Sequence, residues 1–314
     1  MAKREPIDAL VEADDTSQVL KTKLAHVKQV REFASEQLGL PDNASYTSYV
    51  ALDRPYVVWN VVATTEFSLE PRQWCFLVVG CVSYRGYYNE ESAADFAQEL
   101  RAAGDDVMLA GATAYSTLGW FADPVLSTML EQPDHYVVAV IIHELAHQKV
   151  YVKHDSAFNE AFAMTVEQEG VRRWYLHNDD LSALERYEAS LDREQAFIEL
   201  VLQARESLDE LYSGDLDEAS MRVQKENVFA ALRDDYARNR PRIGDGYQAW
   251  FAQDLNNANL ALVATYHERV EAFELLLRGK DGNLGAFYEE VARLGELPAA
   301  DRETELARIA AQVH

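Results

Sequence analysis

Residues 137–170 read VVAVIIHELAHQKVYVKHDSAFNEAFAMTVEQEG, and this stretch decides both the fold and the chemistry. His143 and His147 stand one helical turn apart, so on an α-helix they lie one above the other on the same face. Two imidazoles so placed can bind one small cation from one side. Zinc, which accepts nitrogen ligands tetrahedrally and has no redox chemistry to manage, is the usual occupant. Glu144 completes a His-Glu-x-x-His pattern. It can reach a water at the metal without ligating the ion and is the expected general base of a metal-assisted hydrolysis. Residues 137–142 are all apolar, so the helix is expected to be buried before it reaches these polar groups, with Asp134 as its N-cap.

A hydrolytic zinc site takes a third protein ligand and keeps a position open for water. His154, Asp155, Glu160 and Glu167 all follow His147. His154 lacks the short metzincin spacing, because Val150 stands where that pattern needs glycine. Asp155 reads better as the N-cap of a second helix, with Ser156 as the other choice. Glu160 lies in FNEAFA, at the start of that second helix, where a carboxylate faces the two histidines across a short loop. It is the expected third ligand. Glu167 lies two turns later on nearly the same face and is the fallback, reading otherwise as a carboxylate beside the ligands or at the surface.

The pairing of HELAH with NEAFA is similar to the gluzincin pattern of zinc peptidases. More closely, VGCVSYRGY at 79–87, AYSTLGWF at 114–121, HELAHQ at 143–148, FNEAFA at 158–163 and LNNAN at 255–259 resemble a bacterial family of zincin-like proteins known as predicted aminopeptidases. The resemblance covers nearly the whole chain. It implies a zincin-like metalloprotease fold, one zinc per chain and removal of amino-terminal residues from peptide substrates. The interval between His147 and Glu160 is shorter than in the gluzincin aminopeptidases, and their separate motif for gripping a free amino terminus is not evident. Members of the family often begin with a lipoprotein-type leader, so an envelope location is the matching expectation, with this chain starting where a mature part would start.

The 314 residues suffice for a large core. Nearly half are hydrophobic (48%) and a quarter charged (26%), the composition of a globular protein. A formal net charge of −24 argues against a nucleic-acid partner, which requires clustered Lys and Arg. The same charge can attract cationic peptides at long range, though acidic surfaces ordinarily serve solubility. No apolar run is long enough for a transmembrane helix, and no secretory signal opens the chain. The two cysteines, Cys75 and Cys81, are expected as buried thiols on one strand, too widely spaced along it for easy bridging.

In chain order the periodicities predict a helix over 17–38, strands over 56–63 and 76–83, a helix over 90–103 and a strand over 107–115. Strand, helix and strand of these lengths suggest a crossover unit in a small mixed sheet beside the His-Glu-x-x-His helix. From 181 onward the chain reads as helical, with 239–246 as its nearest approach to a linker. The expected class is therefore α+β, mostly helical and zincin-like. An N-terminal part, 1–176, carries the zinc helices, and a helical part, 177–314, completes the cleft.

Edge strands beside the metal commonly bind peptide substrates by strand addition. Residues 80–84 or 112–116 are the candidates, with Tyr115 and Arg85 near the cleft. Gluzincins usually draw the donor for the developing oxyanion from the helical region after the metal helices. Tyr266 is the candidate here, with Asn256 and Asn257 as nearby substrate contacts and His267 as a surface residue. The rival readings are an endopeptidase or another amide hydrolase of the same fold, and a zinc-stabilised scaffold without catalysis. The retained Glu144 speaks against the scaffold.

Overall fold

A computed structural model of the chain describes residues 3–76, 80–114, 116–117, 119, 121–267 and 269–311, apart from the side chain of Tyr266. It begins with β1 (Arg4–Pro6), α1 (Ile7–Glu12), α2 (Gln18–Glu36), β2 (Ser48–Val50), β3 (Val58–Thr65), β4 (Trp74–Phe76) and β5 (Gly80–Val82). There follow β6 (Arg85–Tyr87), α3 (Glu90–Ala102), β7 (Asp105–Ala112), β8 (Val125–Leu126), α4 (Ser127–Leu130), α5 (Asp134–Lys149) and α6 (Ser156–His177). The remainder is helical: α7 (Leu181–Tyr212), α8 (Glu218–Ile243), α9 (Gln248–Phe251), α10 (Asn257–His267), α11 (Val270–Arg278), α12 (Leu284–Gly295) and α13 (Ala299–Ala310). The chain is thus mostly helical with small sheets, consistent with the expected α+β class. Among the described residues no helix is long and apolar enough to cross a membrane.

Two compact units share these elements. The first gathers Met1–Val58, Gly111–Leu181 and Glu268–His314; the second gathers Trp59–Ala110 and Ser182–His267.

The first unit is built on α5 and α6. Residues 137–142 of α5 are all buried, together with Leu145 and Ala146, because this helix is apolar on every side before it turns polar at His143. Its expected cap differs: Asp134 is the first helical residue, and Pro133 precedes it without a side-chain cap bond. Proline suits a helix entry because its fixed backbone angle costs nothing there. α6 lies along α5, and α2 and α4 also pack on α5. At Gly170 of α6 an added Cβ would meet Leu38 Cδ1 at 2.8 Å and Ile142 Cδ1 at 2.9 Å, so glycine permits the close approach of α6 to α5. On its other side α6 buries Phe158 and Phe162 against Phe273, Phe287 and Tyr288. A three-stranded sheet completes this unit, with β2 antiparallel to β1 and parallel to β8.

The loop joining α5 to α6 is short and held from both ends. Asn159 is 2% exposed; its side chain accepts from Val152 N and donates to Val152 O, each at 2.8 Å. Asp155 caps α6 by accepting from Phe158 N at 3.1 Å. Its carboxylate also receives Arg269 at 2.8 Å and Arg302 at 2.9 Å. Arg302 is itself 5% exposed and donates to Leu297 O at 2.8 Å. The start of α6 is therefore fixed by charge-assisted bonds.

The second unit contains the sheet β6–β3–β7, with β6 antiparallel to β3, and the hairpin β4–β5. α3 covers the first sheet through Ala93 and Ala97, against Val61, Ala63 and Val107. The stripe Phe197, Val201, Ala204 and Leu208 on α7 is buried as its spacing requires, with Phe229 and Leu232 of α8 in the same cluster.

Three expectations in this unit are corrected. The strand over 76–83 is two short strands in antiparallel register, with Cys75 opposite Cys81, and the two form a disulfide. Counting along one strand separates their side chains, whereas folding the segment back makes them cross-strand neighbours. Residues 239–246 are no linker over most of their length: α8 continues through Pro241 to Ile243 and ends at Gly244, where φ is +82°. His267 is partly buried, not a surface residue, and loss of hydration lowers its pKa to about 4.

Candidate metal centre

α5 stacks His143 and His147 on one face with ring centroids 4.7 Å apart and the planes nearly perpendicular. Their Nε2 atoms converge to 3.1 Å. α6 brings Glu160 to them: Oε2 lies 3.3 Å from His143 Nε2, and Oε1 lies 3.7 Å from His147 Nε2. Donor atoms around a tetrahedral ion with bonds of about 2.0–2.1 Å are separated by roughly 3.3 Å. The two nitrogens and the Glu160 oxygen nearer His143 approach this spacing, while the other oxygen stands farther from His147. Two imidazole nitrogens and one carboxylate also form a donor set that zinc accepts. Among the described residues, His143, His147 and Glu160 are the one group of three such side chains close enough to hold an ion together.

The surroundings prepare these groups for a cation. Glu167 Oε2 lies 2.9 Å from His143 Nδ1. A proton on Nδ1 directed to that carboxylate leaves the Nε2 lone pair free for an ion, the usual way a carboxylate orients a ligating histidine. Burial opposes the charged form of His143, but Glu160 and Glu167 outweigh it and hold its pKa well above the ordinary value. Burial likewise opposes charge on Glu160, and the two histidines outweigh it and hold the carboxyl well below its usual range. Glu160 is therefore an anion, available as a ligand. His147 is 6% exposed, and its Nδ1 has no hydrogen-bond partner among the described residues.

Glu144 stands beside the triad and not in it. Burial raises its pKa, His143 and His147 pull it down, and the Ser116 hydroxyl hydrogen-bonds to it. It is half-buried.

The other candidate residues distribute differently. Asp155 is occupied by its cap and by two arginines, and His154 lies in the interhelical loop with φ +66°. Neither joins the triad. Glu167 binds the outer nitrogen of His143 and does not join the triad either. Tyr115 and the side chain of Tyr266 lie outside the described residues. Arg85 and Asn256 belong to the second unit. The Arg85 guanidinium covers the rings of Tyr87 and Phe96 at 5.2 and 4.6 Å, and Asn256 accepts from Ala258 N at 3.0 Å. Of the two candidate edges, β5 pairs with β4, whereas β7 ends at Ala112, so residues 113, 114, 116 and 117 carry no strand.

Several residues at this centre gave no signal in the sequence. Gln148, next to His147, binds Asn43 at 2.7 Å and Ser45 at 3.3 Å. Asp123 is 3% exposed and gathers the loop before it by accepting from Thr117 N at 2.9 Å and Thr117 Oγ1 at 2.8 Å. Tyr46, 2% exposed, lies beside Ser116 and in the field of Glu144.

Compared with models of protein families, residues 1–306 match the one described as "Putative aminopeptidase". No curated protein and no solved structure matches the chain.

Proposed function

The chain belongs to the "Putative aminopeptidase" family, and from that premise we propose that it is a zinc-dependent peptidase of zincin-like, gluzincin-type fold. The observation that carries the reading is the convergence of His143 Nε2, His147 Nε2 and the Glu160 carboxylate, close enough to share one ion, with Glu144 next to them. His143, His147 and Glu160 hold the ion, and Glu167 keeps His143 in the ligating tautomer. Zinc bound there supplies Lewis-acid polarisation of a peptide carbonyl and an activated water.

The chain's own residues supply the proton transfers. The Glu144 carboxylate takes a proton from the attacking water and returns it to the leaving nitrogen, so one group serves as base and then as acid. Burial raises the pKa of this carboxyl and so strengthens it as the base of the first step. Peptides with a free amino terminus are the proposed substrates, on the family description. Tyr266 remains the proposed oxyanion donor, and Tyr115, Arg85 and Asn256 the proposed substrate contacts.

Elemental analysis tests the centre. Wild type is expected to carry about one zinc per chain and Glu160→Ala to lose most of it, since three protein ligands are the minimum such a site uses. A wild type that stays empty when zinc is supplied sinks the reading. A panel of free-amino and amino-blocked peptides separates exopeptidase from endopeptidase, because only the former loses the blocked substrates.

A further inference from the structure

Tyr46 carries two costs at once. Its φ is +61°, in the left-handed region that side chains larger than glycine or asparagine rarely occupy. Its side chain is 2% exposed, and its hydroxyl forms no completed hydrogen bond among the described residues. A strained, deeply buried aromatic residue persists only where the surrounding structure over-determines it, and such residues gather at functional sites.

The surrounding structure does over-determine it. Tyr46 N donates to Asp123 O at 2.6 Å. One residue earlier, Ser45 N donates to Asn43 Oδ1 at 2.9 Å, and Ser45 Oγ accepts from Gln148 at 3.3 Å. Gln148 lies on α5 directly after His147, so the backbone at Tyr46 is tied to the helix that carries the metal ligands.

This anchoring places the Tyr46 hydroxyl beside Ser116, which hydrogen-bonds to Glu144. Burial and the charges of Glu144 and Asp123 keep the phenol protonated, hence a donor. Ser116 has one proton and two carboxylates within reach, Glu144 and, at 3.4 Å, Asp123. Asp123 already accepts two short bonds from Thr117, so the serine proton is better used by Glu144.

We propose that Tyr46 and Ser116 are positioning residues for the general base. In this arrangement the Tyr46 hydroxyl donates to Ser116 Oγ, and Ser116 donates to the Glu144 carboxylate. Hydroxyls in series polarise one another, so the second bond is stronger than a lone serine would make it. One carboxylate oxygen is then fixed, and the other is left free to take and return a proton. The proposal rests on the peptidase reading, and its test separates the two.

Ser116→Ala, Ser116→Thr and Tyr46→Phe, each as the zinc-loaded full chain, are assayed for kcat, KM and zinc content on one free-amino peptide. Each is also made in a Glu144→Gln background and assayed with concentrated enzyme. Loss of one well-placed hydrogen bond corresponds to about tenfold. Accordingly kcat is expected to fall about tenfold or more in Ser116→Ala and somewhat less in Tyr46→Phe. KM and zinc content are expected to stay unchanged, and Ser116→Thr to restore kcat. Ser116→Ala with Tyr46→Phe is expected to be no slower than Ser116→Ala alone. With Glu144→Gln present, neither change is expected to slow the residual rate further. An unchanged kcat in both single variants overturns the proposal, as does a full loss persisting beside Glu144→Gln or an effect confined to KM. A zinc-loaded wild type that cleaves no peptide removes the peptidase reading and this proposal together.

Discussion

Two clusters of partly buried charge, one in each unit, solve the same electrostatic problem differently. In the second unit Lys225 Nζ lies 2.6 Å from Asp106 Oδ2 and 2.8 Å from Glu66 O. Asn257 N donates to the same carboxylate oxygen at 2.8 Å, and its side chain donates to Glu66 O and Ser68 O while accepting from Tyr212. The protein supplies its own cation there, and the donors and acceptors answer one another. In the first unit two imidazole nitrogens and a carboxylate point at a common centre. Without an ion, protons on the imidazoles balance the carboxylates, and a bound cation can displace those protons because imidazole gives them up to a metal far more readily than a lysine does. The closed cluster reads as structure and the converging one as a site.

The largest expected effect breaks the function of one cluster and leaves its geometry intact. Glu144→Gln removes the proton acceptor beside the centre, and peptide turnover is expected to fall about 10²–10⁴-fold with zinc content unchanged. Next, Lys225→Met leaves a carboxylate buried without its cation in the second unit. Denaturant titration is expected to show a loss of about 3 kcal/mol, the lower end for a broken buried pair because this one keeps some contact with water, with zinc still bound. If that substitution empties the metal centre, the two clusters are not independent.

A third test uses pH. Loss of hydration holds His267 neutral down to about 4, whereas the unfolded chain takes the proton near 6.5. Between these values the unfolded state binds more protons, so stability is complete above the upper one and falls as pH drops toward the lower. The loss reaches up to about 3 kcal/mol, and His267→Gln is expected to flatten this part of the thermal-stability profile. The smallest effect is expected at Gly170→Ala, where the new methyl meets methyl groups of Leu38 and Ile142 rather than backbone. A cost of about 1–2 kcal/mol is expected in unfolding experiments. Weaker zinc binding in the same variant would show that the spacing of α5 and α6 tunes the centre.

The legible parts of the chain were those governed by near neighbours. His143 and His147 needed only the helical repeat, and Glu160 only the recognition that a second helix begins after a short loop. The stripes on α2 and α7 follow from the same periodicity. The disulfide was missed because periodicity along a strand does not tell where the strand folds back. The burial of His267 was missed for a related reason: helical spacing gives a residue's direction on its own helix but not what covers it.

What the sequence determined by itself, then, is the identity of the candidate ligands and the alignment of His143 with His147, since positions four apart on a helix share a face by backbone geometry alone. The tertiary structure decided what holds and surrounds them. Arg302 reaches Asp155 and so fixes the start of the Glu160 helix, and Tyr46 lies beside Ser116, near Glu144. These pairs are separated by 147 and, counting from 46 to 116, 70 residues, and no local periodicity spans such distances. Only the tertiary packing around α5 and α6 brings such residues together near the site.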